Sequence, residues 1–125
     1  MNIKKAHDFC AKLPGATRDI KWAMGDSAHP AFSVGGKMFA LFSLKRDQML
    51  DVLMFKADDG RFLELTDRDG FGPAGHLAHA HWVRIDDVKR LSETEAKVLL
   101  TEAHQVVMAK LSKKMQRAIA AGTHR

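Results

Sequence analysis

Two adjacent glycines, Gly35-Gly36, stand between two β-prone runs, and this constrains the fold more than any other feature of the chain. Ala31-Phe32-Ser33-Val34 precedes them and Lys37-Met38-Phe39-Ala40-Leu41-Phe42-Ser43 follows. Glycine reaches the positive φ angles that a two-residue turn demands, so the segment predicts a β-hairpin. A hairpin has an apolar face that must be covered, and both ends of the chain supply amphipathic helices for it. Behind Asn2, a capping residue, Ile3, Ala6, Cys10 and Leu13 recur at spacings of three and four until Pro14-Gly15 stops the pattern. Near the other end, Ser92-Glu93-Thr94-Glu95 fits a capping box, and Ala96, Leu99, Leu100, Ala103, Val106, Val107 and Leu111 share one helix face.

Between the helices, Lys21-Trp22-Ala23-Met24 predicts a short strand before the turn Gly25-Asp26-Ser27. The apolar density of Met49 to Lys56 predicts a long strand at the centre of a sheet. Asp58 is placed to cap a short helix ending at Leu65, with Phe62, Leu63 and Leu65 as its apolar side. Phe71-Gly72-Pro73-Ala74-Gly75 predicts a loop, and His81 to Ile85 a half-buried strand with Trp82 and Val83 on opposite faces. The same alternation puts Phe39 and Phe42 on opposite faces, leaving one of them exposed. The expectation is a single α+β domain over residues 1–125, in the order helix, antiparallel strands, helix. Beyond Leu111 the apolar pattern weakens, so residues 112–125 are expected to form a basic, frayed tail.

At 125 residues the chain is long enough for one core, and 46% apolar with 28% charged residues is the balance of a globular protein. A net charge of +5 favours an anionic partner. The charge is uneven: after Glu102 come Lys110, Lys113, Lys114, Arg117 and Arg125 with no acidic residue between them. Cations at a helix C-terminus complement its dipole and aid solubility, which is the leading reading of this run, and a phosphate-binding patch is the second. The start lacks the apolar run of a signal peptide, and no stretch is long and apolar enough for a membrane span, so a cytosolic protein is expected.

Few chemistries survive inspection of the motifs. One cysteine excludes an internal disulfide and a four-thiolate zinc site, and Cys10 reads as a small buried residue. Gly35-Gly36-Lys37 lacks the first glycine and the following hydroxyl of a phosphate loop, and strands flank it. It reads instead as a wing that projects Lys37 toward a phosphate. His76, His79 and His81 form H-x-x-H-x-H, open to three readings: a metal site, phosphate contacts, or exposed polar residues. Trp22 and Trp82 read as core anchors in preference to base-stacking platforms. No triad, carboxylate dyad or cofactor loop can be assembled, so neither enzymatic activity nor a cofactor is expected.

The ordered set Lys21-Trp22, Phe32 to Ala40 around the two glycines, Lys56-Ala57-Asp58, Gly70-Phe71-Gly72-Pro73-Ala74, His76-Leu77 and His81-Trp82-Val83 resembles the MmcQ/YjbR family. The resemblance runs from the first helix to Leu111. It implies a fold similar to the frataxin homologue CyaY, with N- and C-terminal helices packed on one face of an antiparallel sheet. It also implies a DNA-binding protein with a double-wing arrangement. Carried over by residue, Lys37 and Lys56 match basic positions of the family pattern and His76, His79 and His81 lie in the second loop; together with Lys21 these are the expected DNA-contacting residues. Relatives often carry asparagine and lysine or arginine before Trp82, where this chain has Ala78-His79-Ala80-His81. The iron-binding acidic ridge of frataxins has no counterpart, because the first helix sets Lys4, Lys5 and Lys12 against Asp8 alone. The sequence-level expectation is therefore weak, largely sequence-independent DNA binding through basic wings. The alternatives are a protein-interaction or stress and resistance accessory module and, behind it, histidine-based metal binding.

Overall fold

The computed structural model describes residues 1–122; Arg125, the last cation of the basic run, lies outside them. Asn2 caps α1 (Ile3–Ala11) by accepting from the Lys4 and Lys5 amides. The sheet comprises β1 (Ala16–Met24), β2 (Ser27–Val34), β3 (Lys37–Leu41), β4 (Leu44–Lys45), β5 (Gln48–Met49) and β6 (Leu53–Lys56). After α2 (Asp59–Thr66), capped by Asp58 as its position predicts, come β7 (Phe71–Pro73) and β8 (Trp82–Ile85). All pairings are antiparallel, in the order β5-β4-β2-β3-β6-β8-β7, with β1 on the free side of β2. The chain then enters α3 (Glu93–Met108) and α4 (Lys113–Ala120).

Helices α1 and α3 lie on one face of the sheet. Phe32, Val34, Phe39, Phe42, Leu53, Phe55, Val83 and Ile85 meet Ala6, Cys10, Leu99, Leu100 and Ala103 there, all fully or nearly fully buried. Burial of this size is the main stabilising term of the domain. The opposite face carries a smaller cluster of Ala31, Leu41, Met54, Ala74 and Trp82, roofed by a 3-10 segment, Gly75–Ala80. Trp82 and Val83 thus fall on opposite faces, as alternation requires. Among the described residues no helix is long and apolar enough to cross a membrane.

Several sequence expectations are corrected. Phe39 and Phe42 share the helix-facing core, neither exposed. The register of β2 with β3 shifts between Phe32 and Ser33, so Phe39 is the extra residue of a β-bulge. A bulge turns two successive side chains to one face, which restores Phe42 to the core side. The run Met49 to Lys56 is two strands, because the chain leaves the sheet at Leu50 to Val52. There the Leu50 amide donates to the Ser43 carbonyl, and the Asp51 carbonyl accepts from the Val88 amide. β6 does occupy a central position, between β3 and β8.

β1 begins five residues before the predicted strand. It is an edge strand whose residues are mostly exposed, so no apolar alternation marks it. Pro30 lies inside β2 and not before it. Its carbonyl accepts from the Phe42 amide at 2.8 Å, and its missing donor faces the break between β3 and β4. On α2, Leu65 is buried and Phe62 half-buried three positions apart, whereas Leu63 is turned outward.

The expected tail is a helix over most of its length. Ser112 caps α4 by accepting from the Met115 amide, and Gln116 donates to the Met108 and Leu111 carbonyls at 2.9 and 3.0 Å. Ile119 is buried beside Gly15 and Val34. Leu111, Met115 and Ile119 are the large apolar side chains that pack on the core here, too narrow a stripe to identify a helix from periodicity.

The capping box of α3 is half formed. Ser92 accepts from the Glu95 amide, but the Glu95 carboxylate is held by both terminal nitrogens of Arg68, at 2.6 and 3.1 Å. The Arg68 hydrogen bonds keep the Glu95 carboxyl below the usual glutamate range. A depressed carboxyl pKa contributes stability above its unfolded value and loses it as pH falls through the folded one. Arg68→Gln should therefore cost about 0.5–1 kcal/mol near pH 7, the range of a well-formed surface pair. By about pH 3 most of that difference should vanish, leaving only the stacking of Arg68 over Phe71. Urea denaturation of both proteins at the two pH values checks this; a pH-independent difference would refute the ion-pair account.

Candidate nucleic-acid interface

The pairings place several chain reversals at one end of the sheet. Val34 pairs Lys37, Ala40 pairs Phe55, Lys56 pairs Trp82 and Pro73 pairs Val83. The Gly35-Gly36 turn and the segment Gly75–Ala80 therefore leave the strands from the same end of the sheet. The junction of α3 and α4 reaches that end as well. A Cβ on Gly35 would lie 2.7 Å from the Leu111 methyls and 2.8 Å from the Met115 sulfur, so the turn backbone rests directly on this junction.

This packing gathers the cations of two distant segments. Lys37 leaves the turn, while Lys110, Lys113, Lys114 and Arg117 line the junction and α4, and all five are exposed. Among the described residues none of the five has a carboxylate within ion-pairing distance. The helix dipole does not account for them all. It favours Lys110 after α3 and Arg117 in the last turn of α4, but Lys113 and Lys114 occupy the first turn of α4, where the dipole is positive.

Lys56 contributes differently from Lys37. It is half-buried, and its ammonium donates to the Ala80 carbonyl, which ties the Gly75–Ala80 segment to β6. Burial pushes its pKa down, and Lys110 beside it pushes the same way. The Asp59 carboxylate pushes the opposite way and offsets part of this effect.

The three histidines are not brought together. His81, in the left-handed region at φ 62, has its Nδ1 2.8 Å from an Asp59 carboxylate oxygen and its ring against Phe62. His79 donates to the His76 carbonyl, and His76 faces the open side of the sheet beside Trp22. Among the described residues no three His, Cys, Asp or Glu side chains are grouped to hold a metal ion. Lys21 is also apart. It pairs Asp19 at 3.4 Å and lies opposite His29, five residues back from Val34 along β2, which is about 16 Å of strand.

Trp82 is a core anchor, but Trp22 is 55% exposed, contrary to expectation. A register shift between Lys21 and Met24 swings it off the strand, and neighbouring Gly25 was the only local sign of an irregular edge. Cys10 is buried in the helix-side core, and burial pushes its thiol pKa up, as expected of a small core residue.

The YjbR family model matches residues 11–106. That span includes the hairpin and the Gly75–Ala80 segment and stops short of Lys110. No curated protein matches the chain. Among solved structures, a Deinococcus radiodurans protein bearing the domain DUF419 is similar with a TM-score of 0.78 at 21% identity, over 99% of this chain and 91% of that one. A Pseudomonas syringae protein is similar with a TM-score of 0.65 at 23% identity, over 86% of this chain and 99% of that one. At such identities the likeness is one of fold.

Proposed function

Starting from a chain that belongs to the YjbR family, we propose that it is a cytosolic, non-enzymatic protein that binds duplex DNA weakly and with little sequence preference. The observation that supports this reading is the packing of the Gly35 turn, which carries Lys37, on Leu111 and Met115 of the junction whose cations have no ion-pair partner among the described residues. Lysines without a shaped pocket contact phosphates and not base edges, so they position DNA without reading it. Three or four such contacts give micromolar or weaker binding, with a log–log salt slope of about −3 to −4.

The test is a titration of a labelled duplex of about 20 base pairs at a series of salt concentrations. Lys37→Ala should reduce the slope magnitude by about one and leave any sequence preference unchanged, whereas Lys21→Ala should change neither. No saturable binding at low salt would overturn the proposal.

A second reading, protein interaction, is favoured by a separate feature. The edge strand β1 exposes Ile20, Trp22 and Met24. It predicts partner binding that is insensitive to salt and lost on Met24→Lys, a change remote from the basic surface.

A further inference from the structure

On the face away from α1 and α3, the roof formed by Gly75–Ala80 leaves a cavity of about 300 Å³. Leu41 and Met54 of the open-face cluster form its apolar base, Trp22 lines one side, and His29, His76 and Arg84 supply its polar groups. Trp22 is held at φ 49, a backbone region that bulky side chains avoid, with its ring edge-on to His29 at 6.1 Å. The exposed indole is thus fixed beside the cavity instead of packing into the core.

The polar groups are one-sided. No carboxylate lines the cavity. Arg84 uses its Nε to bond Asp86 at 2.7 Å, which orients the guanidinium and leaves its terminal nitrogens without a bonded partner among the described residues. His29 donates from Nδ1 to the Phe42 carbonyl at 3.0 Å, which fixes its ring in place. An apolar base, an indole wall and a guanidinium fork whose Nε is paired to Asp86 while its terminal nitrogens carry no bond among the described residues match a flat apolar ring bearing one carboxylate. The volume lies at the small end of ligand pockets and limits the ring system to one or two fused rings.

We propose that this cavity is a binding site for a small aromatic carboxylate, its ring against Trp22 and Met54 and its carboxylate on the terminal nitrogens of Arg84. The site is separate from the basic surface, and the proposal stands or falls independently of DNA binding.

The probes are 1-naphthoate and its neutral amide, titrated into the full chain by calorimetry and by NMR of backbone and indole N–H groups. The acid should bind with a dissociation constant of about 0.1–1 mM and shift the Trp22 indole resonance but not that of buried Trp82. The amide should bind at least about tenfold more weakly, as should the acid to Arg84→Gln and to Trp22→Ala. Both side chains are exposed, and an unchanged melting temperature verifies that the variants fold. Equal binding of acid and amide, full binding by Arg84→Gln, shifts confined to other surfaces, or no saturation at about 10 mM would each overturn the assignment.

Discussion

Phe39→Ala should destabilise the domain by about 3–5 kcal/mol, the cost of emptying a fully buried aromatic site. Phe39 lies beside Phe32 and meets the His104 ring edge-on at 5.3 Å. His104 is itself buried and donates from Nε2 to the Pro14 carbonyl at 2.7 Å, which ties α3 to the end of α1. Truncation therefore opens a cavity and removes the wall that orients this tie. Phe39→Leu keeps most of the volume and should cost less than about 1.5 kcal/mol. Urea unfolding measures both. A Phe39→Ala cost below about 1 kcal/mol is what a solvent-facing side chain would give, and it would contradict the bulge.

Gly35→Ala should cost about 2–4 kcal/mol, the sum of left-handed strain at φ 58 and a forced overlap with Leu111 and Met115. Gly36 is the internal control. It has φ 80, but an added Cβ there meets nothing within 4 Å, so Gly36→Ala should carry only the strain, about 1–2 kcal/mol. The difference between the two isolates the contact between the hairpin tip and α4. Equal costs would mean that the ends of the Leu111 and Met115 side chains yield to the added methyl without cost.

What was legible in the sequence was local. Asn2, Asp58 and Ser92 cap helices through side chain to backbone bonds spanning two or three residues, so their positions alone reveal them. Gly35-Gly36 marks its turn for the same reason, and Lys37 follows from it. The bulge at Phe39 was not legible because it is defined by how many residues of β2 oppose β3, and alternation counted along one strand misses it. The partner of Glu95 was missed likewise, since Arg68 lies 27 residues away and outcompetes the Ser92 amide.

The site follows the same division. Its individual cations were visible, but their grouping depends on Gly35 meeting Leu111, a contact between residues far apart in the sequence that no short pattern encodes. Lys56 and Lys21 looked equivalent to Lys37 in the sequence. Register separates them, placing one against the Gly75–Ala80 segment and the other toward the far end of β2.

The most direct test of the account is the salt dependence of duplex binding by the wild-type chain, Lys37→Ala, Lys113→Ala/Lys114→Ala and the triple variant. A single surface built from hairpin and α4 predicts slope magnitudes that fall by about one, two and three respectively, leaving the triple variant with only the residual slope that Lys110 and Arg117 supply. Slopes unchanged by either set of substitutions would contradict it.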